Sequence, residues 1–201
     1  MKAPKSSGKT HEKHPEGWTT LVCTRIIDKG TVFSEKKQKD VHNILLQFES
    51  SKLLSDGEAA GKPFAVFATF PFSMFTNSML CKFIEQWRGK KFKSQEDADE
   101  FDVATLLGKG GFANITYNGD FVNIGTSGPV PDGMTQPIPI AELLIWDFAT
   151  RKPAVLEKLS DGMKGQLQKA NEWDSEATRQ PQANRESENP APGIDDSDIP
   201  F

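Results

Sequence analysis

Phe112-Ala113-Asn114-Ile115-Thr116-Tyr117-Asn118-Gly119-Asp120-Phe121-Val122-Asn123-Ile124 reads as two short strands around a turn. The flanks are rich in β-branched and aromatic residues, and Asn118-Gly119 accepts positive φ, so the stretch predicts a β-hairpin with a type I′ turn. Upstream lie Leu106-Leu107-Gly108 and an acidic stretch from Ser94 to Asp102, read as a solvated helix. Before that the period changes. Phe75, Met79, Phe83 and Trp87 are four apart with Leu80 and Ile84 beside them, which predicts an amphipathic helix over 75–87 ended by Gly89. Further upstream are three strand-like segments. Trp18 to Asp28 is rich in Thr, Val and Ile and meets turn chemistry at Asp28-Lys29-Gly30; Lys62 to Phe72 holds four phenylalanines. Between them Val41 to Glu49 alternates, with Ile44, Leu46 and Phe48 on one face and Asn43, Gln47 and Glu49 on the other.

Three strands, a helix and a hairpin are the element order of an OB-fold, a five-stranded barrel with a helix between strands 3 and 4. The expectation is therefore a mainly β protein. Residues 17–150 form the barrel and 151–174 a closing helical segment of one or two helices, broken near Gly162. Pro129, Pro131, Pro137 and Pro139 make the segment after the hairpin extended and irregular, because proline cannot donate to a ladder. Residues 1–16, with Lys2, Lys5, Lys9 and Lys13, read as a disordered basic arm, and 175–201 as a disordered acidic tail whose few bulky residues cannot offset the entropy of ordering.

At 201 residues the chain can bury one ordinary core. Apolar runs such as Ile44 to Phe48 are far below the roughly 20 residues that span a bilayer, and 1–16 lack the apolar stretch of a secretory signal. A soluble protein without membrane attachment or export is expected. Cys23 and Cys81 have no close-spaced partner and read as buried, reduced thiols of a cytoplasmic protein. The net charge of -4 sits at one end: 175–201 hold six acidic residues against Arg179 and Arg185, so the rest is neutral. Such asymmetry marks an interaction tail.

The tail ends Asp195-Asp196-Ser197-Asp198-Ile199-Pro200-Phe201. Carboxylates followed by an apolar tip resemble the C-terminal tip of bacterial and phage single-stranded DNA-binding proteins. A solvated acidic terminus would account for the aspartates but not for Ile199, Pro200 and Phe201. One aromatic ring supplies anchoring area, the proline limits the entropy lost on docking, and the carboxylates steer. The body carries a second resemblance. Phe83-Ile84-Glu85-Gln86-Trp87-Arg88-Gly89, Phe92, Phe101-Asp102, Leu106-Leu107-Gly108, the hairpin, Pro129-Val130-Pro131-Asp132-Gly133-Met134 and Glu172-Trp173 are similar, in this order, to a phage replication-associated group of OB-fold single-strand binders. That group has lysine where Asp132 stands. The resemblance implies a protein of the infected bacterial cytoplasm that binds single-stranded DNA largely without sequence preference in replication, recombination or repair. It also implies a tip (Asp195, Asp196, Asp198, Ile199, Pro200, Phe201) that recruits a polymerase, primase, helicase or nuclease.

Sequence-tolerant binding of single strands needs cations along the phosphates and aromatic faces under the bases. The candidate cations are Arg25, Lys29, Lys36, Lys37, Lys39 and Lys62, with Lys52 nearby; the candidate aromatics are Phe67, Phe70, Phe72, Tyr117 and Phe121. Phe64, Val66 and Phe70 share one face and fit a core equally, whereas Phe67 points the other way. Tyr117 has a polar handle at the hairpin tip, and the Lys cluster also fits a plain solvated loop. Residues 17–150 hold 13 basic and 16 acidic residues, so binding requires a segregated basic stripe. The same neutrality suits an alternative, an OB-fold protein-interaction adaptor of a replisome or recombination complex. No enzyme, cofactor or metal site is expected. His11-Glu12-Lys13-His14 lacks the HExxH spacing, Gly108-Lys109-Gly110-Gly111 is not a phosphate loop, and no nucleophile set has a local signature.

Overall fold

The computed structural model describes residues 12–174. Six strands form one open sheet: β1 (Gly17–Ser34), β2 (Lys39–Leu53), β3 (Pro63–Pro71), β4 (Gly110–Asn118), β5 (Phe121–Gly128) and β6 (Leu144–Trp146). Their order is β3-β2-β1-β4-β5, all antiparallel, with β6 parallel to the Arg25–Ile27 stretch of β1. The protein is thus mainly β. The ladder does not close, because β3 and β5 each keep a free edge, yet the two edges come within 8 Å of each other between Cα atoms.

β1 runs through Asp28-Lys29-Gly30 where the sequence predicts a turn. Its register with β2 jumps at Thr24 and at Lys29, so each is a β-bulge that bends the strand instead of ending it. The hairpin stands, but its turn is shifted. Asn118 pairs with Phe121, leaving Gly119 and Asp120 as the loop; of these only Gly119 has positive φ, +63°. A type I′ turn needs positive φ at both loop positions, so glycine at the first gives the type II′ pattern instead.

The helix α1 covers Met79–Arg88, shorter than the 75–87 expected. Ser78 caps it, accepting the Cys81 N–H, and Gly89 ends it in the left-handed region with its N–H on the Gln86 carbonyl. Its buried stripe is Leu80, Phe83, Ile84 and Trp87, while Phe75 and Met79 are exposed. Leu80, Phe83, Ile84 and Trp87 lie on the inner face of the sheet against Leu21, Ile26, Leu46, Phe48, Val66, Phe70 and Ile115. Each such burial is worth about 1.5–3 kcal/mol. Phe83 stacks on Trp87 at 5.6 Å and meets Phe70 at 4.9 Å with the rings tilted. After α1 come the short α2 (Gln95–Asp99) and a 3-10 turn at Val103–Leu106.

The closing segment forms three short helices, α3 (Pro153–Glu157), α4 (Asp161–Leu167) and α5 (Asn171–Asp174). The break falls at Leu159-Ser160, because Ser160 caps α4, and Gly162 lies inside it. These helices build a second cluster on the outer face: Ile27, Leu45 and Trp146 meet Leu159 and Leu167. Ile27 and Leu45 are the neighbours of core-facing Ile26, Ile44 and Leu46, so strand alternation puts them on the opposite side. Among the described residues no helix is long and apolar enough to cross a membrane. Cys23 and Cys81 are free and buried, and burial pushes the Cys23 thiol up to about 12.

Residues 12–16 are held in place, which corrects the boundary of the expected arm. Glu12 accepts from the backbone and hydroxyl of Ser55, Lys13 pairs with Asp120 at 2.7 Å, and the Tyr117 hydroxyl donates to the His14 carbonyl. His14 itself is buried on Phe64. Lys2, Lys5, Lys9 and the whole of 175–201, including the acidic tip, lie outside the described residues.

Candidate nucleic-acid interface

Backbone pairing decides which side chains can act together. Arg25 pairs with Gln47 and Gln47 with Phe67, so the three form one cross-strand row on β1, β2 and β3. The neighbours Ile26, Leu46, Phe48 and Val66 are in the core, which puts the row on the outer face. Phe67 is 51% exposed there. The Nε of Arg25, at the β1 end of the row, is buried without a partner. A planar ring beside a guanidinium and an amide can stack a base and hold the adjoining phosphate or base edge.

The other aromatics do not join this row. Phe70 lies in the core against Phe83 and is corrected from candidate platform to structural residue. Phe72 is 39% exposed but lies on the other side of β3, at the rim of a pocket of about 370 Å³. Four carboxylates line that pocket: Asp28, Asp99, Asp102 and Asp147. A phosphodiester would be repelled there, so Phe72 cannot share a path with Phe67. Tyr117 spends its hydroxyl on the His14 carbonyl, and Lys13 sits 5.7 Å above its ring. Phe121, 80% exposed, marks the tip of the β4–β5 hairpin.

The cations also divide. Lys36 and Lys37 occupy the β1–β2 turn and Lys39 the start of β2, all exposed and about 30 Å of strand from Arg25. Lys62 is exposed just before β3. Lys29 is different. As the bulge residue it turns into a groove with Asn43, and burial pulls its ammonium below the ordinary lysine value.

Sequence reasoning missed Gln47 as a partner of Phe67, although its place on the polar face of β2 was the available signal. It also missed Trp18, half exposed and stacked on Phe112 at 4.9 Å with the planes 14° apart. That ring pair lies on β1 and β4.

The motif around α1 explains itself structurally. The Arg88 guanidinium lies 4.9 Å from the Phe92 ring and 4.6 Å from Phe101, Glu85 accepts the Phe92 N–H, and Trp87 presses on Gly111, where an added Cβ would stand 2.7 Å from its ring. Gly89 faces Pro129 with room for no Cβ, 2.9 Å away. These residues lock the end of α1 to β4 and to the proline segment. That segment is held in turn by Glu49, which accepts the backbone N–H of Ile140 and Ala141.

Two histidines have opposite roles. His14 Nδ1–H donates to the Pro15 carbonyl; burial lowers its pKa and so favours the neutral ring, whose Nε2 then accepts from Ser50. His42 bonds Asp28 at 2.6 Å, and that bond raises its pKa. Among the described residues no three His, Cys, Asp or Glu are placed to hold a metal ion. No family model, curated protein or solved structure matches the chain.

Proposed function

We propose that the protein binds single-stranded DNA, largely without sequence preference, on the outer face of β1–β3, and that its C-terminal tip recruits replication or recombination proteins. The observation that carries the reading is the Arg25–Gln47–Phe67 row, an exposed ring in one cross-strand register with an amide and a guanidinium. We read the open sheet as an OB-fold barrel. Supporting this are the order β3-β2-β1-β4-β5, the approach of β3 to β5, and α1 between β3 and β4. Of the residues that carry the family resemblance, Trp87, Arg88, Gly89, Phe92, Phe101 and Pro129 pack on one another around the end of α1, as expected of a motif that preserves a fold. Asp195, Asp196, Asp198, Ile199, Pro200 and Phe201 support the recruiting role by their chemistry alone.

The test is a fluorescence-anisotropy titration of labelled oligo-dT and an equal-length duplex at two salt concentrations. Salt-sensitive preference for the single strand is expected. Phe67→Ala should lose about 1–3 kcal/mol, the worth of one base–aromatic stack. A chain ending at Ile194 should keep or exceed the full-length affinity, since the tail's charge competes with phosphate. Equal affinity for duplex and single strand, or an indifferent Phe67→Ala, rejects the proposed face.

A further inference from the structure

A groove of about 550 Å³ opens between the β1–β2 arm and the closing helices. Lys29, Phe33 and Asn43 line it from the arm, and Gln166 and Lys169 from the helical segment, with Glu35 as its carboxylate. Two cations and two amides face each other across it.

The groove is held open by a specific piece of backbone. Bulging β1 at Lys29 turns that side chain out of the ladder toward Asn43. Gly30 follows at φ +69°, with Ala170, Glu172 and Phe148 packed so close that a Cβ would meet them at 2.6–2.7 Å. Glu172 then accepts both the backbone N–H and the hydroxyl of Thr31, at 2.7 and 2.6 Å. The segment that clamps the bulge also carries Lys169, so one lock sets the position of both cations. Lys29 makes no ion pair among the described residues. A partly desolvated cation in that condition is completed by an anion.

The groove lies on the same outer face as the proposed binding row, with the helices that cover Ile27 and Leu45 between the two. Asn43 stands four residues from Gln47 on the same side of β2, about 13 Å away. Resting on the function proposed above, we infer that the groove receives a phosphodiester of the bound single strand between Lys29 and Lys169. Phe33, 59% exposed at the rim, lies under the adjoining base. The closing helices then belong to the interface and are not only a cover for Ile27 and Leu45.

The experiment compares full-length wild type, Lys29→Gln, Lys169→Gln and the double variant for oligo-dT affinity across 50–200 mM salt. Thermal melts verify folding, and Lys169→Gln, on an exposed side chain, gives a readout independent of the bulge. Each lost phosphate contact should make the slope of log affinity against log salt shallower by about 0.7. An unchanged slope for Lys169→Gln, in a protein whose Phe67→Ala variant loses affinity, overturns the groove alone. Wild type without affinity for oligo-dT overturns the groove and the proposed face together.

Discussion

Phe67 and Phe72 sit five residues apart on or beside β3, both partly exposed, yet they look onto different surroundings. Phe67 shares its row with Arg25 and lines the cleft between β3 and β5; Phe72 shares its pocket with Asp28, Asp99, Asp102 and Asp147. Exposure of an aromatic ring therefore says little by itself, and the sign of the charge around it decides which ring can face a phosphate chain. The border between the acidic pocket and the Lys29–Lys169 groove is one peptide wide. Asp28 belongs to the acidic pocket and Lys29 to the basic groove, and the alternation of β1 sends these neighbouring side chains of opposite charge to different faces.

The largest way to break this division is Gly30→Ala. The substitution forces a Cβ into the left-handed region and against Ala170, Glu172 and Phe148, so urea denaturation should show a loss of roughly 2–4 kcal/mol. Stability within 0.5 kcal/mol of wild type, on the order of a neutral surface change, would mean that the clamp is loose. Next in size, Phe67→Ala should lose DNA affinity as stated above while Phe72→Ala stays within about twofold; equal losses would erase the distinction between the rings.

Smaller still is a pair of pH effects. His42, in contact with Asp28, has a raised folded pKa, so its contribution is full below 6.5 and is lost as pH rises through the folded value. His14 has a lowered one, so its contribution is full above 6.5 and is lost as pH falls through the folded value. Urea midpoints between pH 5.5 and 7.5 should therefore fall on acidification more steeply in His42→Gln than in wild type. A His42→Gln profile parallel to wild type would show that the Asp28 bond does not discriminate between the charged and neutral ring.

Much of the fold was legible because alternation and spacing are local. The split of Ile44, Leu46 and Phe48 from Asn43 and Gln47 held in β2, as did the inward set Phe64, Val66 and Phe70 in β3. What failed depended on partners far away in sequence. Asp28-Lys29-Gly30 has the composition of a turn, but Glu172 and Ala170 fix it as a bulge. Leu144–Trp146 is too short to read as a strand until β1 offers it a free edge. In α1 a four-residue period fitted Phe75 and Met79 as well as Leu80 and Ile84, and only the Ser78 cap settled where the helix begins. Of the site, Phe67 was legible from its parity. Its row with Arg25 was not, since register depends on a bulge at Thr24 that nothing local announces.

The two unpaired sheet edges have a bearing on how crowded copies of this chain behave. An exposed edge invites another polypeptide to add a strand, the first step of many aggregates. Here β3 and β5 turn their edges toward one another over α1, with Met79, Lys82 and Gln86 in the cleft between them. An incoming strand would need to part them first. An unfinished cylinder thus guards its own seam, and many copies can lie close together without their sheets fusing.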